Sequence, residues 1–188
     1  MREGNTDISL KIILERHAVS RGCSLIYNEE LSKPFNGPLS KVALRIRTKK
    51  NFDSGDVDMA FYFADRDKGD YDKLEYIQQE IGAVNGAYLL RSIVGIPDPH
   101  MEAWLLADEN AVKRVFGIAG EQPVPFANLP PKDRLNALSN KAGDTELTPP
   151  IARRKLAKSC NLNLVERRNR SYNQFIGRYN DFLNSLAE

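Results

Sequence analysis

Phe61-Tyr62-Phe63-Ala64-Asp65-Arg66-Asp67 is an apolar run that ends in two aspartates one residue apart. In a strand, residues i and i+2 point to the same side, so Asp65 and Asp67 are predicted to aim at one point just past the strand end. Two carboxylates held that close repel each other and stay ionised only with a cation nearby. Magnesium, or manganese in its place, suits such hard oxygen ligands. The carboxyl end of a strand is also where open α/β sheets place their sites. The same tripeptide fits a solvated strand-to-helix turn, and by itself it does not choose between the two.

Further chemistry-bearing residues flank this pair. Glu3 lies in Glu3-Gly4, a tight turn ahead of a helix, either as an incidental acid in a capping turn or as another carboxylate of the site. Glu102 follows a predicted strand end and opens an apolar helix. It either complements the helix dipole or adds a carboxylate at the sheet edge that holds Asp65 and Asp67. Asp98 and His100 belong to the rigid turn Gly95-Ile96-Pro97-Asp98-Pro99-His100 at the same strand end, although an aspartate between prolines is also a natural turn residue. Lys68 either meets a phosphate or balances the acids. Three basic runs supply candidate phosphate contacts: Arg47, Lys49 and Lys50; Arg153 and Arg154; and Arg167 and Arg168. Each run equally suits a solvated helix surface. Trp104, at helical spacing with Leu105 and Ala107, reads as core.

The elements that must position these residues follow from apolar periodicity and breakers. Ile8, Ile12, Ile13 and Val19 predict a first helix, capped by Thr6 or Asp7 and closed by Gly22. Cys23 to Tyr27 reads as a short strand and Asn28 to Pro38 as a loop. Leu39 to Ile46 reads as a helix that ends in the first basic run. Val57 to Phe63 is the central strand, Asp70 to Ile81 a helix, and Ala87 to Ile96 a further buried strand. A helix opens at Met101. The alternation predicts βα units and a mainly parallel sheet flanked by helices. After a proline-bearing connector, Lys132 to Ser139, Pro150 to Ser159 and Tyr172 to Leu186 read as helices. The predicted organisation is an α/β domain over 1–120, with a C-terminal helical extension over 121–188 packed on it.

The chain has 188 residues, 41% hydrophobic and 28% charged, the balance of an ordinary soluble domain. A formal net charge of +2 names no partner, so any basic surface is local. Cys23 and Cys160, with His17 and His100, show neither zinc-ligand spacing nor a disulfide framework. No apolar run is long enough for a membrane span and no signal peptide is evident, which predicts no membrane partner and a cytoplasmic location. There is no G-x-x-x-x-G-K-[ST] and no G-x-G-x-x-G phosphate loop. A homo-oligomer is compatible with the sequence.

Glu3-Gly4-Asn5-Thr6-Asp7 resembles the E-G-x-x-D turn of Toprim domains, and Asp65-Arg66-Asp67 resembles their D-x-D motif. The segment Glu102-Ala103-Trp104-Leu105-Leu106-Ala107-Asp108 is similar to the E-A-W-L-L-A-D stretch of small stand-alone Toprim-like proteins. Ser171-Tyr172-Asn173-Gln174-Phe175 is similar to the S-F-x-x-F ending of that group. These proteins are often found beside ATPase genes in bacterial defence loci. The resemblance implies a Toprim-like, Rossmann-like fold and a magnesium- or manganese-dependent nuclease acting on DNA or RNA. In it Asp65 and Asp67 would hold the metal, Glu3 would be a third acid, and Glu102 a second-metal ligand. The alternative is a non-catalytic Toprim-like subunit that docks on an ATPase. Only Met1-Arg2 precede Glu3, where the family pattern has an apolar strand, and this departure leaves the placement of Glu3 open.

Overall fold

The computed structural model describes residues 7–27, 40–53, 55, 57–66, 72–143 and 146–185. Among these the chain is mixed α/β and mostly helical, with one small parallel sheet. The strands are β1 (Ala60–Phe63) and β2 (Ser92–Gly95), in parallel register from Ala60 beside Ser92 to Phe63 beside Gly95. The helices before and between them are α1 (Asp7–Val19), α2 (Lys41–Asp53), α3 (Lys73–Gly82) and α4 (Gly86–Leu90). Those that follow are α5 (Met101–Leu105), α6 (Glu109–Phe116), α7 (Pro131–Lys141), α8 (Pro149–Ser159), α9 (Leu162–Arg168) and α10 (Arg170–Ser185).

Strand periodicity sorts the core into two layers, one on each face of the sheet. Ala60, Tyr62, Val94 and Ile96 pack with Leu44 and Phe52 of α2 and Ile77 and Ile81 of α3. Phe63 and Ile93 face the larger core built from α1 and from α5 onward. Strands apolar on both faces are the mark of a parallel sheet covered by helices. On the larger side, Phe63, Trp104 and Phe175 form an aromatic cluster. Phe63 meets Phe175 edge-on at 4.9 Å between centroids, and Trp104 stacks on Phe175 at 5.4 Å. Such pairs add about 0.5–1.5 kcal/mol each beyond the area they bury. Gly95 makes room for the cluster, since a Cβ there would stand 2.5 Å from Cζ of Phe63.

Helix boundaries follow side-chain caps. Asp108 ends the α5 segment and starts α6, accepting from the backbone N–H groups of Asn110 and Ala111. Gly117, at φ 64°, closes α6 in the left-handed region where glycine carries no Cβ penalty. Prolines open α7 and α8 at their first turn. Asn161 and Asn169 cap α9 and α10 through the N–H groups of Leu164 and Tyr172.

The structure differs from the expectation in several elements. Ala87 to Ile96 is not one strand. Asn85 caps α4 by accepting from the Ala87 N–H, so the chain coils before it extends, and Leu90 is left 85% exposed. Arg91 then ties the start of β2 to the carbonyls of Val57 and Asp58. Cys23 to Tyr27 carries no strand; Ile26 is 98% exposed and Tyr27 is held by its hydroxyl on the Lys11 carbonyl. The central strand begins at Ala60, three residues later than expected. α2 runs on to Asp53, which places Arg47 and Lys49 inside the helix and leaves Lys50 in its last turn. α9 was not expected. The loop read over Asn28 to Pro38 and the cap Thr6 lie outside the described residues. No helix among the described residues is long and apolar enough to cross a membrane.

Buried polar bonds fasten α1 to the C-terminal helices. Arg16 donates to the carbonyls of Ala157 and Cys160, each at 2.7 Å. His17 Nε2 and the Tyr172 hydroxyl share a hydrogen bond of 2.8 Å, and the Tyr179 hydroxyl donates to the Leu14 carbonyl. Burial, then the charges of Arg21 and Arg16, lower the His17 pKa from 6.5 to about 4. The unfolded chain therefore takes this proton first as pH falls. Stability should drop between pH 6.5 and about 4 and level off below, by roughly 3 kcal/mol for this one group. Urea unfolding of the parent and of H17Q from pH 7 to pH 4 checks this. The parent should lose stability faster than H17Q, and parallel profiles would contradict the assignment.

Candidate functional site at the carboxyl edge of the sheet

Parallel pairing continues past both strand ends. The Ala64 N–H donates to the Gly95 carbonyl at 3.2 Å and the Arg66 N–H to the Pro97 carbonyl at 2.9 Å. Residues 64–66 therefore run beside residues 95–97, and Asp65 emerges against the turn that leads into α5. One Asp65 carboxylate oxygen, Oδ1, accepts from the Met101 N–H at 3.3 Å, and Oδ2 lies 3.6 Å from His100 Nδ1. The Asp65 side chain remains 39% exposed. Its own carbonyl accepts from Lys73 Nζ at 2.8 Å. Arg66 turns the other way and pairs with Asp98, Nη1 to Oδ2 at 2.7 Å.

His100 thus lies beside Asp65 at this sheet edge, while the Asp98 carboxylate is turned to Arg66. Glu102 is close in sequence but differently committed. It is buried, and its Oε1 sits 3.2 Å from Nε of Arg153, with side-chain exposures of 15% for Arg153 and 6% for Glu102. The two form an ion pair off the line of a good hydrogen bond. Arg153, expected on a phosphate surface, thus turns its guanidinium toward this acid. Arg154, Arg167 and Arg168 are exposed, with Arg168 also reaching the Ala107 carbonyl. Lys49 and Lys50 are exposed on α2, on the opposite face of the sheet from α8 and α10, and Arg47 on that helix is partly buried. The basic runs therefore do not share one face. Glu3, Asp67 and Lys68 lie outside the described residues.

The donor chemistry at Asp65, an exposed hard oxygen, suits magnesium or manganese. Among the described residues no group of three or more His, Cys, Asp or Glu side chains converges closely enough to hold a metal ion. The second carboxylate of the expected pair, Asp67, is not among them. Sequence reasoning did not single out Arg66 or Lys73. Arg66 stands between the two aspartates, and that position was its only signal. No protein-family model, curated protein or solved structure matches the chain.

The buried pair predicts a specific stability pattern. Removing Arg153 leaves the Glu102 charge uncompensated in the core, and R153M should cost about 3–5 kcal/mol in chemical denaturation. The double variant E102Q/R153M should recover most of that loss. Equal losses in the single and double variants would show that Arg153 acts through packing alone.

Proposed function

We propose that this chain is a magnesium- or manganese-dependent phosphodiesterase of the Toprim type, a nuclease acting on DNA or RNA in the cytoplasm, as an effector in phage defence. The observation that supports this reading most is the solvent-accessible Asp65 carboxylate at the carboxyl end of a parallel strand, with His100 delivered beside it from the turn after the next strand. Asp65 and Asp67 would hold the cation, with Glu3 as a third acid. A bound divalent ion neutralises a phosphodiester and lowers the pKa of water. The chain's own contribution is positional. The Met101 N–H and His100 hold the Asp65 carboxylate, while Lys73 holds its backbone. The exposed Arg154, Arg167 and Arg168 offer cations to a phosphate backbone.

One observation favours a second reading, a non-catalytic subunit that docks on a partner such as an ATPase. Each described acid of the edge already has a partner: Asp65 with His100 and the Met101 N–H, Asp98 with Arg66, and Glu102 with Arg153. In that reading the acids keep the turn in place and cut nothing.

Calorimetry with magnesium and manganese, on the parent and on the D65N/D67N variant, separates the two, followed by cleavage assays on DNA and RNA. The nuclease reading expects binding and cleavage in the parent and neither in the variant, with the fold unchanged. A variant that binds and cuts like the parent removes these aspartates from the site. A folded parent that binds no cation and cuts nothing turns the assignment to the subunit reading.

A further inference from the structure

Pro97 and Pro99 carry no N–H, so the Asp98 N–H is the sole backbone donor of the Pro97-Asp98-Pro99 turn. That donor points away from the sheet edge to Ser171 Oγ, in the first turn of α10, at 3.2 Å and 73 residues along the chain. The same Oγ accepts from the fully buried Trp104 indole Nε1–H at 2.8 Å. Its proton goes to Asn169 Oδ1 at 2.9 Å. One hydroxyl has one proton and two lone pairs, and here all three are used. On its other side the turn holds the strand exit: its Pro97 carbonyl and Asp98 carboxylate grip Arg66, and the following His100 and Met101 meet Asp65.

We propose that Ser171 is a positioning residue for the sheet-edge site, holding the Pro97-Asp98-Pro99 turn so that His100 and the Met101 N–H meet the Asp65 carboxylate. This makes the C-terminal helices part of the site. The consequence for cation binding rests on the function proposed above; the positioning itself does not. An alanine at this place leaves the Trp104 and Asp98 donors without an acceptor and frees the turn to shift.

Trp104 is the single tryptophan, so its indole N–H gives one unambiguous signal in a 15N-labelled full-length chain. In S171A that signal should move upfield, and the amide signals of Asp65, Arg66, His100 and Met101 should shift with it. S171T, which keeps the hydroxyl, should restore the parent spectrum. Manganese affinity should fall about tenfold in S171A, the lower end of the effect of removing a supporting partner. Y179F deletes a different buried hydroxyl bond, from Tyr179 to the Leu14 carbonyl. It should leave both affinity and those amide signals unchanged. If the indole moves in S171A but the four amide signals stay in place, Ser171 serves only the core and the proposal fails. A parent that binds no manganese counts against the proposed function, and the four amide signals still decide the role of Ser171. Should S171A not fold, N169A removes the acceptor that orients the Ser171 proton and should displace the same signals; unmoved signals there overturn the proposal equally.

Discussion

Two parallel strands that end level with each other, Phe63 beside Gly95, decide what can meet at the carboxyl edge of this sheet. The register requires the Phe63 ring to lie where a side chain at position 95 would be, which only glycine allows. With that contact made, pairing runs on through Ala64 and Arg66, and both strand exits reach the same place. Asp65 then meets the start of α5. A slip of one residue would carry Tyr62 to the side of Phe63 and turn Asp65 away from the His100 turn.

Charge at that edge is managed by exposure for one acid and by pairing for another. Glu102 is buried and has Arg153 beside it, because a lone carboxylate in that core would be costly. Asp65 keeps solvent contact, accepts from the Met101 N–H and lies beside His100. Asp65 is the more solvent-accessible of the two acids, whereas Glu102 is enclosed with its arginine. The two acids, which resemblance grouped as ligands, therefore occupy different physical situations. Glu102 joins α5 to α8, while Asp65 stays at the solvent-facing edge.

Local pattern was enough for much of this. The aspartate at the end of an apolar run, the buried role of Trp104, and the helices at the C-terminal end all follow from periodicity and breakers, which act over a few residues. What stayed hidden is long-range or short. Arg153 reads as a surface cation until the fold sets it against Glu102. Ser171 reads as a small polar residue before an aromatic until it meets Trp104 and Asp98. The run from Ala87 to Ile96 is apolar enough for a strand, yet the Asn85 cap starts a helical turn within it. The five-residue α4 and seven-residue α9 are too short for a helical period to declare itself. At this edge the strand-end positions of Asp65, Asp98 and His100 were legible, whereas the Ser171 contact to the Asp98 N–H comes from far along the chain.

Asp65, at the joint of two strand exits, is the proposed divalent-cation ligand. Titrating manganese into the 15N-labelled full chain and following paramagnetic broadening of the amide signals tests that directly. Signals of Asp65, Arg66, His100 and Met101 should broaden before any others, and D65N should remove the effect. Broadening that begins elsewhere, or that survives D65N unchanged, would contradict the proposed role of Asp65.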